Sequence, residues 1–473
     1  MNVSVVIPAY NAAETIADTL ESLIAQTYPH WEAIVVNDGS SDATDAITRA
    51  FVERDARIRM ITQPNGGEGA ARNTGIAQAQ YDWLLFLDAD DWISPLYLER
   101  MTHALITTPE FDAVHCGSTR VALDGTLVGE EYWPPTGDMF PTWARRSAFP
   151  VHACVVRKSL VEGVGNFDPS FIKCTDWDLW QRIARTGARF GAVREVLAFY
   201  RMRPNSASLD AYSMLHYSLR VLKQGHAPDP RVPHPHPDHA HGLPPELIPT
   251  QEYYLLCWCA GLLLGCGKDA RPLLETVKED RYPELYPEAV AQCIFEAASL
   301  PTCQPTSALE QLWPGIQQPV DEFLVALEQQ SMAPDLARRA RAKLQKMILQ
   351  HAPAWGPIVE EYEQSLRQQH AALAELHQAY TVAVQEHAQW QQLAQERAQS
   401  LYQQQAALAE LQQAYTVDVQ ERAQWQQLAQ EREARIAMLE DTRWVRLGLR
   451  LGVIKPPNSV SRDGNQAKNL SAF

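Results

Sequence analysis

Positive charge is scarce in this chain. Its 473 residues carry 41 Lys and Arg against 57 Asp and Glu, a formal net charge of −16. Bulk nucleic-acid binding needs a basic field, so nucleic acid is excluded as a general partner. Cysteines are few and unpaired in pattern: eight are scattered along the chain, none in a CxxC, which predicts reduced structural thiols. Long apolar runs are missing too. YYLLCWCAGLLLGCG (253–267) has 15 residues, short for a bilayer and suited to a buried helix. The opening MNVSVVIPAY lacks the basic n-region and long apolar core of a signal peptide, and a cytoplasmic protein is expected.

What is present reads as globular, with 46% apolar and 21% charged residues. The length suggests about three domains. Over the first ninety residues, short β-branched runs alternate with helical patterns. VSVVI (3–7), EAIVV (32–36), RIRMIT (57–62) and WLLFL (83–87) are expected strands, with helices between them, the second after Asp42 and the third from about Gly69. Near-continuous apolar strands separated by helices indicate a parallel sheet covered on both faces. Such sheets bind ligands beyond the carboxyl ends of their strands. The polar punctuation falls there: PAYN, NDGSSD, QPNGGEG and DADD.

Five further regions follow from composition. Residues 1–215 form the α/β domain, and 216–250, rich in Pro and His, form a linker or surface loop. The helical patterning of 251–355 predicts a small helical domain. Residues 371–397 recur as 406–432 with 24 of 27 positions identical, an offset of 35 residues or five heptads. The 3–4 spacing of Leu373, Leu376, Tyr380, Trp390 and their counterparts predicts a coiled coil over 360–442, and with it a homo-oligomer, although polar residues interrupt the seam. A single solvated helix is the alternative. Within 443–473, TRWVRLGLRLGVIKPP (442–457) interleaves Trp, Val and Leu with Arg and Lys. It either rests on the inner face of a membrane or docks on another part of the protein.

The chemistry concentrates at the sheet edge. Asp88 and Asp90 stand one residue apart at a strand end, and in extended geometry both face one side, toward a Mg²⁺ or Mn²⁺. Asp91 is expected to cap the following helix or support that pair. Asp38 ends the second strand, where a carboxylate accepts from a nucleobase or ribose; alternatively it only organises a turn, as Asp42 is expected to do. Glycines in QPNGGEGAARNTG permit close backbone approach, and Arg72 on the helix behind them is placed to neutralise a diphosphate. No GK[ST] follows, so this is not a Walker loop.

VSVVIPAYNAAETIADTLESLIAQTY, VVNDGSSDAT, NGGEGAARNTG and FLDADDWISP, in this order, resemble family 2 glycosyltransferases of the GT-A fold, over about residues 1–210. The resemblance implies a Rossmann-like, mostly parallel sheet and an inverting transferase. The donor would be a nucleotide-diphosphate sugar and the acceptor a hydroxyl on a glycan or lipid-linked glycan, as in surface polysaccharide assembly. It implies that Pro8, Ala9 and Tyr10 line the base pocket and that Asp38 contacts the nucleoside. Arg72 would face the diphosphate, with Asp88 beside it, and Asp88 and Asp90 would bind Mn²⁺ or Mg²⁺. Asn37 stands where the family's first acid is usual. In FIKCTDWDLWQRIARTG, Asp176 matches the catalytic base, Thr175 replaces its usual acidic neighbour, and Asp178 is the rival base. Loss of that neighbour predicts a lowered pKa at Asp176. RMRPNSAS (201–208) resembles the family's closing loop, where Arg201, Arg203 or Ser206 would reach the donor phosphates. No Q-x-x-R-W follows, which argues against a processive synthase. The alternative function is a coiled-coil scaffold with a catalytically idle, nucleotide-binding GT-A domain.

Overall fold

A computed structural model describes residues 1–132, 135–204, 206–277 and 283–351, with a few helical residues between 426 and 432. The chain divides into two compact units, Met1–Glu360 and Glu361–Phe473. The coiled coil expected over 360–442 and the basic segment 443–457 fall almost wholly outside the described residues.

The first unit begins with β1 (Val3–Ala9), α1 (Ile16–Ile24), β2 (Trp31–Asn37), α2 (Thr44–Arg54), β3 (Ile58–Thr62), α3 (Glu68–Gln78) and β4 (Trp83–Phe86). Every residue of β1 and β2 is buried, because helices cover both faces of the sheet they form. β1 pairs in parallel with both β2 and β4, and β2 with β3. That register aligns Ala9 with Asn37 and Asn37 with Thr62, so the loops after the first three strands leave from one edge. Helix α1 turns Ile16, Leu20 and Leu23 inward at helical spacing. Helix α3 lies so close on β1 that a Cβ at Gly75 would stand 2.3 Å from Val6 Cγ1. The buried polar pair at the opposite edge is satisfied: the Ser4 hydroxyl donates to Glu32 at 2.7 Å, and Arg59 also faces Glu32.

Next come β5 (Trp92–Ile93), α4 (Tyr97–Thr107), β6 (Ala113–Ala122), β7 (Leu127–Tyr132), β8 (Gly137–Asp138), α5 (Phe140–Trp143), β9 (Cys154–Arg157), α6 (Lys158–Gly163), α7 (Thr175–Arg185) and β10 (Arg189–Met202). The sheet order is β3-β2-β1-β4-β9-β6-β10-β5, with β7 on β6 and β8 on β10. β9 is antiparallel to both β4 and β6, so the sheet is mixed, four parallel strands continued by an irregular half. One apolar core spans this sheet and its helices.

Helices α8 (Ala211–Gly225), α9 (Ile248–Leu264), α10 (Pro287–Ala298), α11 (Leu309–Ser331) and α12 (Leu336–Gln350) build a second core, joined by Ala122, Val128 and Met202 from the sheet domain. The Pro/His-rich stretch between α8 and α9 packs against α7. The buried Arg185 donates to the carbonyls of His239 at 2.8 Å and Gln224 at 2.7 Å, and Arg231 reaches Asp178 at 2.9 Å. Pairing this many donors with carbonyls and carboxylates keeps a polar segment stable at a protein surface. All eight cysteines are free thiols. Among the described residues, no helix is long and apolar enough to cross a membrane.

Candidate active site

The sheet edge becomes a site through four loops and the start of α7. At the end of β1, Pro8 and Ala9 are buried, and Tyr10 just beyond the strand is exposed. The Ala9 carbonyl accepts from Asp38 N at 2.8 Å, which locks the first loop to the second. Asp42 serves the same seam. Its carboxylate accepts from Ala13 N and Thr44 N, both at 3.0 Å, so it organises the start of α2.

Asp38 is buried, and its oxygens are engaged. One accepts from Gln63 Nε2 at 2.8 Å and Gly66 N at 2.9 Å, the other from Gly67 N at 2.9 Å. Gly67, at φ +87°, takes the left-handed conformation that lets these successive N–H groups converge on one carboxylate. In this conformation Asp38 holds the glycine-rich loop rather than facing the cleft.

Arg72 comes off α3 beneath that loop, and its side chain is 1% exposed. The guanidinium donates to Asp88 Oδ1 at 2.5 Å and to Thr175 Oγ1 at 3.0 Å, and pairs with Glu68 one turn earlier on its own helix. The contact with Thr175 spans 103 residues and joins the DADD loop to the N-terminus of α7. Glu68 is a site residue that the sequence reading missed, although its i, i+4 spacing to Arg72 was a visible signal.

β4 ends at Phe86, and the chain turns outward after the buried Leu87. Asp88 and Asp90 keep 25% and 38% of their side chains exposed. Arg203 pairs with Asp90, and Arg201 donates from Nε to the Asp90 carbonyl at 2.7 Å. The RMRPNSAS segment is therefore drawn onto the DADD turn. Burial first, then repulsion from Asp91 and Asp88, pushes the Asp90 carboxyl up to about 6 against the opposing pull of Arg203.

Asp91 caps no helix. It is buried, accepts from Arg201 N at 2.8 Å and pairs with the buried His152 at 3.0 Å. His152 lies 61 residues downstream and carries no motif around it, so nothing in the sequence pointed to this partner.

At the start of α7, Cys174 is left-handed at φ +55°, an uncommon conformation for a residue with a Cβ. The bend sets Thr175 and Asp176 toward Arg72. Asp176 accepts from Trp177 N at 2.8 Å, and its pKa is raised above the ordinary carboxylate value. Burial is the main cause; Arg72 opposes it and Asp88 adds to it. Thr175 beside it carries no charge and adds nothing to that rise. Asp178 points the other way. Its buried carboxylate accepts two bonds from Arg182, at 2.6 and 3.0 Å, and faces Arg231. It is committed to the interior and is unavailable as a base.

A mixed, mostly parallel α/β sheet with an Asp-x-Asp turn, a buried arginine and a half-buried aspartate at the start of α7 defines the class: a glycosyltransferase domain of the GT-A fold. Residues 4–161 match the sequence pattern of "Glycosyl transferase family 2", and this part of the chain belongs to that family. The uncharacterised glycosyltransferase EpsJ of Bacillus subtilis (strain 168) is 39% identical over 122 residues, 26% of this chain and 35% of EpsJ. The "putative teichuronic acid biosynthesis glycosyltransferase TuaG" of the same organism is 29% identical over 209 residues, 44% of this chain and 81% of TuaG. The chain thus spans about a third of EpsJ, and much of its own length has no counterpart there. Among solved structures, S. aureus TarS 1-349 is similar at 16% identity and a TM-score of 0.43, covering 73% of this chain and 91% of TarS 1-349. That score bears on neither substrate nor mechanism.

Proposed function

We propose that the first unit transfers a sugar from a nucleotide-diphosphate donor to an acceptor hydroxyl with inversion at the anomeric carbon. The observation that carries this reading is the gathering of Arg72, Asp88 and Thr175 by hydrogen bonds at the start of α7, where Asp176 follows Thr175. Asp176 is partly buried, holds one bond to a backbone N–H, and retains oxygen lone pairs for an acceptor hydroxyl. It acts as the base, taking the hydroxyl proton as that oxygen attacks the anomeric carbon. No side chain need attack the sugar, so one displacement inverts its configuration. Arg72 is fixed by three partners and is preorganised to face negative charge building on the departing diphosphate.

The residues fit a divalent cation. Asp88 and Asp90 are hard oxygen donors, half-open to the cleft, and their mutual repulsion with Asp91 would be relieved by added positive charge. Among the described residues, no group of three or more His, Cys, Asp or Glu side chains gathers to hold a metal. That suits Mg²⁺ or Mn²⁺, which keep waters and share substrate phosphates. Bound there, the ion would supply charge stabilisation to the diphosphate. The acceptor is taken to be a growing glycan, in line with the polysaccharide role named for TuaG.

The test is to incubate the full-length protein with a panel of nucleotide-diphosphate sugars and glycan acceptors, with Mn²⁺ or Mg²⁺ present. Products are read by NMR. An α-configured donor should yield a β-linked product. A retained configuration would refute the single displacement, and no turnover of any donor would refute sugar transfer.

A further inference from the structure

The guanidinium of Arg231 joins three carboxylates, two of which belong to distant parts of the chain. Its orientation is fixed by Asp229, which accepts from Nε at 3.0 Å and from Nη2 at 2.7 Å. Nη1 donates to Asp168 Oδ2 at 2.9 Å, and Nη2 stands 2.9 Å from Asp178 Oδ1. Asp229 and Asp178 are buried, and Asp168 is half-buried. A guanidinium is planar and holds its donors in a rigid fork. Engaging these acids together therefore sets the spacing of the segments that carry them.

Two of those segments bear on the groups that the transfer reaction needs. Asp178 lies on the first turn of α7, two residues after Asp176, and its other oxygen is taken by Arg182. Asp168 follows Phe167, which is tied to α3 by its backbone. Asn73 Nδ2 donates to the Phe167 carbonyl at 2.8 Å, and Phe167 N donates to Asn73 Oδ1 at 2.9 Å. The guanidinium of Arg72, next to Asn73 on α3, lies 5.0 Å from the centre of the Phe167 ring. Arg231 thus links the helix that bears Asp176 to the segment seated on the helix that bears Arg72. The direct contact between those helices, Arg72 Nη1 to Thr175 Oγ1 at 3.0 Å, depends on the same spacing.

We infer that Arg231, supplied by the Pro/His-rich stretch, is a positioning residue for the transfer reaction: by bridging Asp168 and Asp178 it holds α7 where Asp176 and Arg72 act on one substrate. This rests on the roles given to Asp176 and Arg72 above. Misplacing a reacting group by about 1 Å costs on the order of 10²-fold in rate. A small drift of α7 therefore registers in kcat, while donor binding at the loops after β1, β2 and β4 is kept.

The test uses the full chain with Mn²⁺, glycan acceptors and a donor panel of UDP-glucose, UDP-N-acetylglucosamine and GDP-mannose. kcat and donor KM are measured for wild type, Arg231→Gln, Arg231→Lys and Asp168→Asn, each well below its own Tm, alongside calorimetric binding of UDP and GDP. Arg185→Lys is the control, because Arg185 on the last turn of α7 anchors the same stretch through the His239 carbonyl. kcat should fall by about tenfold or more in Arg231→Gln and in Asp168→Asn, with KM and diphosphate affinity near wild type. Arg231→Lys should behave alike, since an ammonium lacks the planar fork that spans both acids. The double variant of Arg231→Gln with Asp168→Asn should be no slower than the slower single, as one shared contact requires. Arg185→Lys should lower Tm and leave kcat near wild type. A wild-type kcat in Arg231→Gln, or an equal kcat loss in Arg185→Lys, overturns the inference and leaves Arg231 a stabilising residue only. Where Arg231→Gln does not fold, Asp168→Asn decides by the same kcat reading. A wild type that turns over no donor removes the roles of Asp176 and Arg72 and this inference with them; failure of the inference alone leaves wild-type turnover intact.

Discussion

Two aspartates two residues apart on α7 should fail in opposite ways. Asp178 is 1% exposed and tied to Arg182, itself 1% exposed, and to Arg231. In Asp178→Asn the size is kept and the charge is lost, leaving Arg182 buried with only the Val164 carbonyl at 2.5 Å as a full partner. Breaking a buried pair from one side costs about 3–5 kcal/mol. For a unit of this size, with unfolding entropy near ~2.1 cal/mol/K per residue, that lowers Tm by roughly 4–7 °C. Asp176→Asn removes a carboxylate whose ionisation burial disfavours, so Tm should stay level or rise slightly. Transfer should instead fall by about 10²–10⁴, the usual contribution of a positioned base. Differential scanning fluorimetry and single-turnover transfer, run on the same preparations, separate the two effects. Near-wild-type transfer in Asp176→Asn, with transfer abolished in a fully stable Asp178→Asn, would refute the assignment and make Asp178 the base.

Three further outcomes are expected. The base must be ionised to act, and burial raises the pKa of Asp176. kcat/KM should therefore climb with pH through an apparent pKa above ~4, the usual carboxylate value, and Asp176→Asn should erase that limb in a pH–rate profile. Asp90, held at about 6, must lose its proton before it binds a cation. Mn²⁺ affinity measured by calorimetry should weaken as pH falls through that value, and Asp90→Asn should weaken it at every pH. Gly75→Ala would drive a Cβ to 2.3 Å from Val6 Cγ1, and chemical denaturation should show a loss of about 1–3 kcal/mol despite the better helix propensity of alanine.

The sequence by itself determined the half of the fold that presents the site. Runs such as VSVVI and WLLFL, alternating with amphipathic segments, admit little but parallel strands under helices. Parallel pairing then sends the loops after β1, β2 and β3 to one edge. Asp88, Asp90, Arg72 and Asp176 were singled out as candidates on those grounds and from the family likeness. Beyond β4 the signal faded, because β9 enters antiparallel beside β4 through pairings that no local pattern encodes. Tertiary structure alone decided the direction of each side chain. It turned Asp178 inward onto Arg182 and Arg231, spent Asp38 on Gly66 and Gly67, and drew Arg203 onto Asp90. It also brought His152 behind Asp91, and held Glu68 and Thr175 against Arg72. Apart from the i, i+4 pairs Asp178–Arg182 and Glu68–Arg72, these contacts join residues from separate elements, up to 113 positions apart. Residue type and spacing define what a group can do; whether it faces the cleft depends on which distant donors and acceptors satisfy it once the chain has closed.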